Sequence, residues 1–70
     1  MESFAAVKRK YKHLPIHEQI KIGLFFAKKK LTQRALAARL NVSEGLISKT
    51  LKGERPKLLK VIAEIVEGLY

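Results

Sequence analysis

Residues 41–43, Asn-Val-Ser, constrain this chain more than any other stretch. They separate two short helical patterns, one running from Gln33 through Leu40 and the other from Glu44 through Lys52. A connection that short permits only a tight turn, so the two helices must cross at a steep angle. The chemistry of the junction agrees with that reading. Thr32 and Ser43 are both favoured helix N-caps, because a hydroxyl there accepts from a backbone N–H that the helix leaves unpaired. Asn41 stands where a left-handed residue must end the first helix, and asparagine tolerates that conformation better than most.

The apolar positions then divide the pair into an inside and an outside. Leu36, Ala37 and Leu40 make the buried side of the first helix, with Ala37 small enough to let the helices approach closely. Val42 plugs the turn, and Ile47 with Leu51, four apart, anchors the second helix. Glu44, Gly45, Leu46, Ser48, Lys49 and Lys52 are left to the outside. Two helices joined in this way form a helix-turn-helix, whose second helix in most occurrences enters the major groove of DNA.

Seventy residues make one small domain, at a size where association often supplies burial that a single core lacks. The chain has no cysteine, so neither a disulfide nor a thiolate metal site can hold it. Fifteen Lys and Arg against six Asp and Glu give a formal charge of +9, which points to polyanionic company. The same balance is also found in ribosomal fragments and in domains that are simply soluble. No apolar run approaches the length of a membrane span, and no signal-peptide pattern is present, so a cytoplasmic location is the expectation.

The first segment, 1–14, is either a basic arm or a short helix. Ser3 can cap a helix in which Phe4, Val7 and Tyr11 share one face, while Lys8, Arg9, Lys10 and Lys12 surround it. Such an arm would reach along DNA; such a helix would pack its apolar face on the domain, with its lysines either solvated or still touching phosphates. The next pattern spans about 15–29, opened by Pro15 with Glu18 in the first turn and closed by Lys28, Lys29 and Lys30. Ile16, Ile20, Gly23, Leu24 and Ala27 form one stripe, and Ile22, Phe25 and Phe26 lie on roughly the opposite side, so this helix calls for two partners. His13 and His17 have a spacing that suits two metal ligands, but no further His and no Cys can complete a site.

Beyond Gly53, which ends the second helix of the pair, Pro56 begins an amphipathic helix over 56–67. Leu58, Leu59, Val61, Ile62, Ile65, Val66 and then Leu69 occupy one broad side, opposite Lys57, Lys60, Ala63, Glu64 and Glu67. Either the whole stripe closes the core, or part of it, with Leu69 and Tyr70, forms a two-fold interface. Gly68 marks the expected end.

In order and spacing, Leu31-Thr32-Gln33, Leu36-Ala37, Val42-Ser43, Ile47-Ser48 and Gly53 resemble the helix-turn-helix of the Cro/phage-repressor-like (XRE) transcriptional regulators. The resemblance is close over 31–53 and looser elsewhere. It implies an all-α bundle of four to five helices around a central helix-turn-helix. It further implies that Gln33 and Thr32 meet a phosphate at the start of the first helix of the pair, and that Glu44, Gly45 and Lys49 stand where relatives read base edges. Leu46 would meet a thymine methyl or tuck back toward the core. Ser43, Ser48 and Lys52 would be backbone contacts or groove neighbours, and Arg55 with Lys57 would touch phosphate from the following loop.

Four positions depart from that family. Phe26 and Leu51 stand where relatives often place a buried Arg–Glu pair, which makes Phe26 against Leu51 an expected core contact, since packed hydrophobes replace such a pair at little cost. Thr50 occupies a place usually taken by a large apolar residue, which would rotate or repack its helix. Gly45 removes a base-reading side chain and costs about 1 kcal/mol of helix propensity relative to alanine.

The expectation is therefore a sequence-specific regulator, Cro-like, acting as a homodimer on palindromic double-stranded DNA without cofactor, metal or small-molecule ligand. The alternative is an antitoxin-like or anti-repressor module that binds a protein partner, with DNA secondary. Nothing in the sequence suggests an enzyme: there is no paired carboxylate, metal cluster, phosphate loop or activated nucleophile.

Overall fold

The computed structural model describes residues 3–27, 29 and 31–70. Over these residues the chain is all-helical, with α1 (Phe4–Lys10), α2 (Ile16–Phe26), α3 (Gln33–Leu40), α4 (Glu44–Leu51) and α5 (Pro56–Gly68), and without a strand. Three helices begin on a hydroxyl cap: Ser3 Oγ accepts from Ala6 N at 3.2 Å, Thr32 Oγ1 from Ala35 N at 3.0 Å, and Ser43 Oγ from Leu46 N at 3.1 Å. Each bond satisfies a backbone donor that the first helical turn cannot pair. Asn41 ends α3 at φ 56°, ψ 46°, and its N–H and that of Val42 return to carbonyls in the last turn of α3. None of the described helices is long and apolar enough to cross a membrane.

Helix α2 is the centre of the bundle, and different sides of it meet different partners. Ile20 is fully buried with Leu36, Ile47, Ile62 and Val66 contributed by α3, α4 and α5. On one flank α1 buries Phe4 and Val7, so its apolar face is packed on the domain. The Gln19 side chain fastens the segment that follows α1, its amide donating to the carbonyls of Tyr11 and Leu14, both at 3.1 Å. On the other flank lies α4, where His17 sits beneath Gly53: a Cβ on that glycine, already at φ +103°, would stand 3.0 Å from His17 Nδ1. Helix α5 closes the remaining side with Leu59, Ile62 and Val66.

At the far end of α2 the packing is closest. A Cβ on Gly23 would lie 2.6 Å from Phe4 Cε1 and 3.0 Å from Val66 Cγ1, so only a glycine lets α1 and α5 approach there. Tyr70 completes this corner by stacking on Phe4, ring centroids 6.2 Å apart, while its hydroxyl donates to the Gly23 carbonyl. The last residue of the chain is thus committed to the monomer core, and of the two expected interface residues at the C-terminus only Leu69 lies on the outer side. The stripe of α5 divides accordingly: Leu59, Ile62 and Val66 face inward, whereas Val61, Ile65 and Leu69 line a shallow outer groove with Arg39 and Glu64.

Several expectations need correction. Helix α2 stops at Phe26, because Ala27 turns extended (φ −62°, ψ 142°) and buries its methyl, so Lys29 lies beyond the helix; Lys28 and Lys30 fall outside the described residues. Phe26 is not packed into the core: it is 54% exposed and meets Phe25 edge-on, 5.2 Å between centroids. It is Phe25, itself 68% exposed, that shares a groove with the buried Leu51, together with Leu24 and Leu31. Leu24 and Phe26 lie about 160° apart on α2, so with Leu24 turned toward α4 the Phe26 ring points away from it. Gly68 is the last residue of α5 rather than its terminator, and Leu69 caps it. Thr50 is fully buried without loss, because its hydroxyl donates to the Leu46 carbonyl at 2.7 Å one turn back.

Candidate nucleic-acid interface

Helix α4 has two unlike sides. Ile47, Thr50 and Leu51 are buried, and at about 100° per residue the direction opposite them is occupied by Gly45, Lys49 and Lys52. Glu44 and Ser48, four apart, form one edge of this crest, and Leu46 forms the other. Glu44, Gly45, Lys49 and Lys52 are exposed; Ser48 and Leu46 are half-buried. Leu46 therefore presents only part of its side chain outward.

The two ends of α4 add polar groups to the crest. Ser43 spends an acceptor lone pair on its cap and keeps its hydroxyl proton to donate elsewhere. Glu44 carries the negative charge that a helix N-terminus favours. At the other end the chain folds back, with Gly53 N–H on the Thr50 carbonyl at 3.0 Å and Glu54 N–H on the Lys49 carbonyl at 3.2 Å. This return holds Arg55 beside the last turn of α4. Arg55 adopts the left-handed conformation (φ 58°, ψ 66°), and its exposed guanidinium group and the exposed Lys57, in the first turn of α5, follow one another closely.

At the start of α3, Thr32 and Gln33 are exposed, and Thr32 has its hydroxyl on the cap. Both line the groove that Phe25, Leu24, Leu31 and Leu51 floor, and Lys21 joins them at its rim. Nothing in the sequence singles out Lys21, whose neighbour Glu18 at 3.9 Å reads as an ordinary surface pair along α2. Its proximity to Gln33 arises only from how α2 meets α3. The eleven residues named from sequence thus fall into three places: the crest and ends of α4, the return to α5, and the N-terminus of α3.

Gly45 has no internal reason to be glycine. A Cβ there would meet only Ser43 Oγ, at 3.9 Å, an ordinary contact distance, and its backbone is right-handed within the helix. Its effect on the site is to leave the middle of the crest bare between Glu44 and Lys49. Among the described residues no three His, Asp or Glu side chains gather in a way that could hold a metal ion. Comparisons with protein-family models, with curated proteins and with solved structures find no match to the chain.

Proposed function

We propose that this chain is a small, sequence-specific transcriptional regulator of the Cro type, belonging to a phage, prophage or mobile element and acting in the cytoplasm on double-stranded DNA. Helices α3 and α4 form its helix-turn-helix, and α4 enters the major groove. One observation carries the reading: the side of α4 opposite its core anchors is narrow, cationic and free of bulk, with Lys49 and Lys52 flanking a bare backbone at Gly45. A helix of that form can settle deep in a groove about 12 Å wide.

The roles divide by position. Lys49 donates to guanine O6 and N7, while Glu44 accepts from cytosine N4 or supports the helix N-terminus, and Leu46 offers an apolar edge to a thymine methyl. Thr32, Gln33, Ser43, Ser48, Lys52, Arg55 and Lys57 hold the phosphates, with Lys21 beside Gln33. These contacts supply most of the affinity and make it dependent on salt. Two copies pair through the outer stripe of α5, where Val61, Ile65 and Leu69 lie between Arg39 and Glu64. A two-fold axis there sets Arg39 of each copy against Glu64 of the other, so the surface is complementary to itself. The dimer acts by occupying an operator whose half-sites lie about 10 bp apart.

Selection of binding sites from random duplex DNA tests this directly, because its output carries specificity, palindromy and spacing together. A recovered palindrome with one-turn spacing, lost to Lys49→Ala in its sequence preference but weakened uniformly by Lys57→Ala, is the expected result. Absence of binding even at low salt overturns it. The exposed Phe25–Phe26 pair favours a second reading in that event, a module that docks a partner protein through an aromatic surface.

A further inference from the structure

The first helix carries a cationic surface that the proposed groove-binding face does not use. Lys8, Arg9, Lys10 and Lys12 fall within five positions. Lys8 is paired with Glu67 of α5 at 3.4 Å and lies 5.0 Å from the centre of the Phe4 ring. Lys10 stands over the ring of Tyr11 at 5.7 Å. Arg9, Lys10 and Lys12 are exposed, and among the described residues none of the three is ion-paired with a carboxylate. Like charges crowded along a short stretch of chain repel one another. A bound polyanion would remove that repulsion.

The position of α1 determines which polyanion. The segment after α1 is tied to Gln19 of α2, whereas Gly53, just beyond α4, lies against His17. On a helical wheel Gln19 and His17 lie about 160° apart. Both α1 and α4 pack on α2, and they do not pack on one another. Nor can α1 swing across. Its start is capped by Ser3, Phe4 and Val7 are buried, and Gln19 ties down the segment behind it. The cations of α1 are thus held apart from the crest of α4.

We propose that α1 is a second DNA-binding surface, which holds the phosphate backbone of a second duplex segment while α4 occupies the first, so that the protein bridges two stretches of DNA. The contact is to phosphates alone: lysines and an arginine spread around an exposed helix offer charge without a groove-reading edge. This inference rests on the DNA-binding reading of α4.

Bridging is measured by the capture of a fluorescent random-sequence duplex on beads that bear a second duplex, with the protein as the only link, beside the affinity for a single short duplex in solution. The variant combining Arg9→Gln, Lys10→Gln and Lys12→Gln changes exposed side chains only, and its helical circular dichroism reports that it is folded. Expected is at least a tenfold loss of capture with single-duplex affinity within threefold of the original. Capture unchanged in the variant would mean that a second copy's α4 makes the bridge, and overturns the proposal. An equal loss of capture and of single-duplex affinity overturns it too, by putting α1 on the same duplex. An original protein that binds one duplex but captures no second defeats this inference alone; one that binds no duplex defeats the reading of α4 along with it.

Discussion

Gly23 and Gly45 are both glycines inside helices, and both forgo about 1 kcal/mol of helix propensity relative to alanine. Their surroundings are opposite. Around Gly23 the chain is filled: Phe4, Val66 and Tyr70 converge on it from α1, α5 and the C-terminus, and a Cβ would overlap the Phe4 ring. Around Gly45 there is open space on the outer side of α4. The first glycine is explained by the molecule's own packing. The second is not, and on the function proposed above it serves a close approach of DNA to α4. One helix position therefore reports how the domain is held together and the other reports what the domain is shaped to meet.

The largest effect expected from breaking this contrast is at Gly23. Gly23→Val places three carbons where Phe4 and Val66 already touch, and overpacking of this kind costs about 1–3 kcal/mol, beyond any propensity gained. Because Phe4 is itself buried and stacked on Tyr70, its ring has no open direction in which to retreat. Urea denaturation should show the midpoint falling with the slope little changed. A variant as stable as the original would mean that the corner is looser than the contacts imply.

Gly45→Ala should move stability the other way. The Cβ meets nothing closer than 3.9 Å, so the helix gains about 1 kcal/mol, which for a domain of this size raises Tm by roughly 4–8 °C. The same methyl stands on the crest where the proposed groove contact is tightest. Operator binding should weaken by about tenfold, equivalent to ~1.4 kcal/mol, while the protein itself becomes more stable. A stabilised variant with unaltered binding would remove the close-approach explanation and leave the glycine without one.

What the sequence discloses about this fold is local. Ser3, Thr32 and Ser43 each cap a helix through a bond that spans three residues, and Asn41 closes α3 within a single turn, so residue type at one position is enough to read them. Pro56 likewise starts α5 by its own geometry. The features that escape are set across the chain. The Gln19 amide finds carbonyls on a segment eight and five residues before it, Tyr70 reaches back to Gly23, and Lys21 lines one groove with Thr32 and Gln33. Arg55 adopts a left-handed conformation that its residue type gives no reason to expect; the return of the chain over α4 imposes it. At the candidate interface, composition and period 3.6 suffice to separate the outer crest of α4 from its core side. The bare space at Gly45 and the reach between Gln33 and Lys21 require coordinates.

The smallest expected effect tests where α2 ends. The register of the repressor-like pattern would put Phe26 against Leu51, and a buried pair of that kind would lose about 3–5 kcal/mol on Phe26→Ala. With the ring 54% exposed and edge-on to Phe25, the same change should stay within about 0.5 kcal/mol, as surface substitutions do. Leu51→Ala, at a side chain 3% exposed, should by contrast cost about 2–5 kcal/mol. Thermal unfolding of the two variants side by side separates the arrangements. A large loss at Phe26 would bring that ring inside. A negligible loss there beside a large one at Leu51 means that Leu24 and Leu31 close this end of the core. Phe26 is then an outward ring of α2, and Leu51 the side chain that anchors α4 at this end.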